Sequence, residues 1–218
     1  MTKNYILFLI GLFVFACKKD IPEALKNIAK LEDEYEKAKD PTAKQNLPNE
    51  YILFVTTPQN DKALKLNVLE RAEKLSASNN RYFESVTFLN TLIKEDYEST
   101  KTPDRIYHLA DLMKNVIRNE NAAHTLFKGF LEKYPNHNKA EDVRKTIGIA
   151  GQSIPLKTLV LDLASRMYDD TLHQFNETAA TQYVDATEAF VLINPNDPDS
   201  PELLNKAAET ARSLKTYP

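Results

Sequence analysis

The residues of this chain that could do chemistry are few and scattered. Four histidines, His108, His124, His137 and His173, could ligate a metal or act as a general base, but no two stand at the i, i+4 spacing that places a pair on one helical face. The single thiol, Cys17, lies far from all of them. No serine sits in a glycine-flanked elbow that would expose a nucleophile. The acidic stretch "NPNDPD" at 194–199 alternates oxygen-bearing side chains, yet it lacks the central glycine and closing glutamate of a calcium loop, and its prolines suit a rigid turn. No catalytic residue, no metal site and no cofactor is expected, and the chain reads as a non-enzyme.

Cys17 has a context of its own. Lys3 supplies a positive start, Tyr5 to Phe15 forms an apolar run, Ala16 is small, and the charged "KKDIPE" follows the cysteine directly. The run is shorter than the roughly 20 residues of a spanning helix. This segment resembles a bacterial lipoprotein signal peptide. The bulky Phe15 departs from the usual small residues ahead of the cysteine. The resemblance implies cleavage after residue 16, acylation of Cys17 and anchoring in a membrane. Each buried methylene then contributes about 0.8 kcal/mol, so several chains on one residue hold firmly. Lys18, where enteric lipoproteins retained in the inner membrane carry aspartate, implies the outer membrane, with the periplasmic face favoured over the cell surface. Losing residues 1–16 removes Lys3 alone, leaving 27 basic against 31 acidic groups and a net charge of −4.

The elements that follow must be helices. The chain has 218 residues, 42% of them hydrophobic, enough to bury a core, and only four glycines, too few for hairpin-rich architecture or phosphate loops. Interspersed charges summing to −3 give no electrostatic case for nucleic acid. Apolar residues recur at steps of three and four: Leu64, Val68, Leu69, Ala72, Leu75; Tyr82, Val86, Leu89, Ile93; Ile106, Ala110, Met113, Ile117. Further stripes run from Ala123 to Tyr134, Leu156 to Met167, Ala179 to Ile193 and Leu204 to Ala211. "KTPDR" and "DSPEL" predict helix starts with Thr102 and Ser200 as N-caps, and Pro135 and Pro195 mark two stops. Residues 1–16 are expected to form the signal peptide, 17–48 a spacer with one helix marked by Leu25, Ile28, Leu31 and Tyr35, and 49–218 a repeat domain. "GIAGQSIP" at 148–155 predicts a loop.

Two windows, one from Ala123 and one from Tyr183, share a plan. Each carries a phenylalanine, Phe130 or Phe190, five residues before its proline, then a polar turn and another helix. The unit so defined is a helix–turn–helix of roughly 34 to 40 residues, which buries its apolar face only by stacking on neighbours. With Ala123, Phe127 and Pro135 standing where tetratricopeptide repeats place a small residue, an aromatic and a terminal proline, the body resembles that family between about 105 and 136, with degenerate copies over 61–214. The glycine and large aromatic of the family's first helix are not plainly present. The resemblance implies an all-α, right-handed stack of antiparallel helix pairs, an α-solenoid, and extends to outer-membrane lipoproteins built from such repeats.

The implied function is that of a scaffold or adaptor in the bacterial cell envelope, binding protein partners on the concave surface of first helices, with Tyr107, Lys114 and Arg118 as candidate contacts. An alternative is a glycan or nutrient-capture lipoprotein partnering an outer-membrane transporter, although the absence of tryptophan weighs against a sugar platform. "NET" at Asn176 and "DTL" at Asp170 resemble glycosylation acceptors, the second with Thr171 as the acceptor.

Overall fold

A computed structural model of the chain describes residues 21–38, 41–57, 61–148, 154–169 and 174–216. Cys17, Thr171, His173 and the expected signal peptide lie outside the described residues, as does most of the expected 148–155 loop. The chain is all-α. It divides between Tyr97 and Glu98 into two compact units.

The first unit holds α1 (Ile21–Ala38), α2 (Pro41–Thr56), α3 (Lys62–Ser78) and α4 (Tyr82–Glu95). Helix α1 packs on α2 and α3 on α4, with α2 also against α3. Their shared core contains Ile28, Leu47, Tyr51, Phe54, Val68, Leu69, Ala72 and Phe88. Helix α2 departs from the sequence expectation of a single helix before residue 48. Pro48 lies inside it and is buried, although an interior proline removes a hydrogen bond and costs about 3 kcal/mol. Burial of Leu47, Tyr51, Phe54 and Val55 outweighs that penalty. The boundary drawn after residue 48 therefore falls within a helix.

The second unit holds α5 (Thr102–Leu112), which widens into a π turn at Met113–Ile117, then α6 (Glu120–Lys133), α7 (Ala140–Ile147), α8 (Leu156–Ser165), α9 (Glu177–Ile193) and α10 (Ser200–Thr216). Between α8 and α9 a two-residue bridge pairs β1 (Tyr168–Asp169) with β2 (Gln174–Phe175), Tyr168 opposite Phe175. Consecutive helices pack as hairpins, α5 on α6, α8 on α9 and α9 on α10, and α6 also lies against α9. Thr102 and Ser200 are the first helical residues instead of the caps before them. The Ser200 hydroxyl donates to the Asn194 carbonyl at 2.8 Å, tying the turn to the end of the preceding helix.

The helix ends repeat. Asn80 and Arg118, 38 residues apart, both take left-handed backbone, φ 59° and 64°. The residues after them, Arg81 and Asn119, open α4 and α6. At the far ends Asp96 and Tyr134, again 38 apart, take φ −133°, ψ 43° and φ −125°, ψ 54°, and their N–H groups donate to Leu92 and Phe130 carbonyls at 3.0 and 2.7 Å. Asn194 closes α9 the same way at φ −130°, ψ 58°, donating to Phe190 at 2.8 Å. At the helix starts, Asn119 and Asn176 each accept a hydrogen bond from the N–H three residues on, both at 3.0 Å. The asparagine of "NET" is thus an N-cap.

Helix α6 anchors the pair that follows it. Gly129 permits the close approach, because a Cβ there would meet Ile193 Cδ1 at 2.4 Å and Leu156 Cδ2 at 2.9 Å. Glu132 accepts from the Leu156 N–H at 2.9 Å, capping α8, whose own N-cap is the side-chain-mute Pro155. Lys133 Nζ donates to the Ile193 carbonyl at 3.0 Å, satisfying the end of α9, and burial lowers its pKa.

Candidate functional site

Of the candidate contacts, Tyr107 lies on α5, Lys114 on its π-turn extension and Arg118 just past it. Tyr107 is half-buried. Its ring packs on Phe127 at 5.8 Å and Phe130 at 6.2 Å, the arrangement that hydrophobic periodicity on α5 and α6 requires. Phe130 in turn meets Tyr134 at 5.7 Å and the His137 ring edge-on at 5.4 Å. Lys139 Nζ stands 5.3 Å from the Tyr107 ring centroid, over its negative face. The result is an aromatic platform with a cation at its rim.

His137 locks the turn that carries Lys139. Its Nδ1 accepts from the Lys139 N–H at 3.4 Å, and Nε2 lies 3.7 Å from Asp104 of α5. Burial first, and then the Glu98 carboxylate, push the Tyr134 phenol pKa upward. These groups are occupied in structure, and none pairs a nucleophile with a base, so the platform offers contact area and charge.

Lys114 and Arg118 take no part in those ring and cation contacts. The π turn breaks the helical period that would keep residues 107, 114 and 118 on one stripe. Lys114 is half-buried on the turn, and Arg118 is exposed just after it. Among the described residues neither side chain takes an ion-pair or hydrogen-bond partner. Arg118 also occupies the left-handed position that asparagine fills in the preceding pair, a conformation that costs a residue with a long side chain roughly 1 kcal/mol.

A neighbouring buried acid was not legible in the sequence. Asp185 on α9 is pushed up to about 6 by burial, opposed by a hydrogen bond from Asn119. Asn119 therefore caps α6 with one side-chain atom while meeting α9 with the other. An acid in the middle of a helix stripe gives no signal of this; only the α6–α9 contact does.

The first unit has a polar cluster too. Arg71 of α3 holds Glu32 of α1, with Nε to Oε1 at 3.0 Å, and Tyr51 of α2 donates to the same carboxylate. Burial raises the Tyr51 phenol pKa, with Glu32 adding to the effect. Beside it, Tyr35, Leu47, Pro48, Leu75, Asn79 and Arg81 line a shallow recess. The remaining described histidines, His108 and His124, are exposed, and partial desolvation of the His124 ring, then the Lys128 charge, lower its pKa. Among the described residues no three acids, histidines or cysteines converge on one point, and no helix is long and apolar enough to cross a membrane.

No protein-family model matches the chain, and neither a curated protein nor a solved structure matches it.

Proposed function

We propose that this protein is a lipid-anchored scaffold of the bacterial outer membrane, whose helix pairs are degenerate tetratricopeptide-like repeats that stack as a right-handed α-solenoid and bind protein partners without catalysis. The observation that carries this reading is the 38-residue recurrence of helix-end geometry, Asn80 with Arg118 and Asp96 with Tyr134. A recurring helix hairpin is the unit from which such stacks are assembled. Cys17, after its apolar run, is the anchor in this reading.

The partner surface is the α5 face. Lys114 and Arg118, free of partners among the described residues, supply unspent charge on and just after the π turn that ends the helix carrying Tyr107. Keeping arginine at a left-handed position at a cost in stability supports a role outside the fold.

The test compares wild type with Cys17→Ala and with Lys114→Glu/Arg118→Glu, each tagged at the C-terminus. The expected result is wild type in the outer-membrane fraction with a defined co-purifying protein, Cys17→Ala released or left unprocessed, and the double variant anchored without the partner. Identical fractionation of wild type and Cys17→Ala overturns the anchor. Unchanged co-purification with the double variant overturns the α5 surface.

A further inference from the structure

Helix α1 begins close to Cys17. Lys18, Lys19 and Asp20 are all that separates the cysteine from Ile21, the first residue of α1. By contour length alone, four steps of chain reach at most about 14 Å. Nor is α1 a free stalk. Ala24 and Ile28 are buried in the core of the first unit, and Leu25, Leu31 and Tyr35 pack against that core. The helix expected within a spacer is therefore part of the fold, and little chain is left to serve as a tether.

The packing order fixes what stands beside that helix start. Short connections and direct packing make α1 antiparallel to α2, and α2 antiparallel to α3. Lys65 Nζ meets Glu95 at 2.6 Å and Lys62 Nζ meets Asp96 at 3.9 Å, so α3 starts where α4 ends. Arg71 reaches Glu32 at 3.0 Å, the two standing 9 and 11 residues past the starts of α3 and α1, which sets those starts level to about 3 Å. One end of the first unit thus gathers the starts of α1 and α3 and the ends of α2 and α4.

We propose that this end of the first unit rests on the lipid headgroups of the membrane that Cys17 enters, held there by the shortness of the link. The inference rests on the Cys17 anchor proposed above and is independent of the α5 surface. Acyl chains keep the cysteine at the bilayer surface, so the start of α1 lies within about 14 Å of it. Lys18 and Lys19 belong to that link, where anionic headgroups attract them. Around the two helix starts Lys62, Lys65 and Lys94 offset Asp61, Glu95 and Asp96, so membrane charge does not repel this end. Lying flat is disfavoured. A helix in the membrane plane sinks a large apolar face into the headgroup boundary, whereas the outward residues of α1, Glu23, Lys26, Ala29, Lys30 and Asp33, include no large apolar side chain.

The test uses the lipidated chain, purified from membranes and reconstituted into vesicles of phosphatidylethanolamine and phosphatidylglycerol that carry a lipid with a nitroxide on its headgroup. With Cys17, the one native cysteine, blocked as a thioether, Lys62→Cys or Ser78→Cys supplies the thiol for a fluorophore. Both positions are exposed, and they stand at opposite ends of α3, about 24 Å apart along its axis. The expected result is quenching roughly threefold stronger at position 62, since that length of helix lifts position 78 clear of the headgroups. An insert of about 20 Gly and Ser residues between Asp20 and Ile21 spans about 25 Å and should remove the difference. Equal quenching at the two positions, on vesicles that the chain does bind, overturns the docked end and leaves the anchor standing. A chain that does not float with the vesicles overturns the anchor and the docked end together. A difference that survives the insert overturns the short link as its cause.

Discussion

Lys157 Nζ donates to both carboxylate oxygens of Asp197, at 2.9 and 3.0 Å, and stands 5.8 Å from the Phe190 ring centroid. Sixty residues earlier His137 approaches Asp104 while its ring packs on Phe130. In both pairs the third residue after the helix's closing residue reaches back, past the phenylalanine, to the start of the first helix. The polarity is inverted, with acid on α5 in one pair and base on α8 in the other. What recurs is the geometry of the pin, with acid and base exchanging places.

That pin makes a charge-reversal test possible. Lys157→Asp should lower the thermal midpoint, and adding Asp197→Lys should recover part of the loss. Lys157 holds the Asp197 pKa below the ordinary carboxylate range. A depressed folded pKa means that the stabilisation is present above the unfolded value of about 3.9 and disappears as pH falls through the lower folded value. Melting curves from pH 7 down to pH 2 should therefore show wild type and Lys157→Asp converging at the acid end.

Asp185 has the opposite sign. Its pKa, pushed up to about 6 by burial, lies above the unfolded value, so the native state favours the protonated acid and its contribution is lost as pH rises from about 4 through 6. A shift of about two units corresponds to about 3 kcal/mol at most. Asp185→Asn should raise stability to urea by about 1–3 kcal/mol at pH 8 and leave it nearly unchanged at pH 4. A gain of equal size at both pH values would assign the effect to packing.

Gly129 sets the α6–α9 distance. Alanine there gains up to about 1 kcal/mol of helix propensity against about 1–3 kcal/mol of overpacking onto the ends of Ile193 and Leu156. We expect Gly129→Ala to be mildly destabilising in urea titrations and Gly129→Ala/Ile193→Val to recover, because the second change removes the Cδ1 atom lying 2.4 Å from the new methyl.

Arg118→Gly should stabilise the fold by about 0.5–1 kcal/mol by relieving left-handed backbone at φ 64°. The same substitution should weaken capture of the partner in the assay proposed for the α5 surface. A variant that melts higher and binds less would separate what the position costs the fold from what it contributes to contact.

The sequence by itself determined the elements. Apolar residues at steps of three and four put helices where α1, α3–α6 and α8–α10 are found, and Pro135 and Pro195 stood just past two helix ends. These signals are local, acting through helical period and a missing N–H, so they survive without knowledge of neighbours. Helix α2 escaped because Pro48 reads as a break. The cadence Leu47, Tyr51, Phe54, Val55 ran through it and was the signal to follow. Tertiary structure alone decided the rest: that Gly129 is a contact, that Glu132 and Lys133 close two helices of the next pair, that Asp185 is a buried acid on Asn119, and that Leu161 faces outward. Each depends on which helix lies opposite. Helical period fixes the side of its own helix on which a residue stands, but what meets that side is set by long-range packing, where desolvation and steric fit are decided.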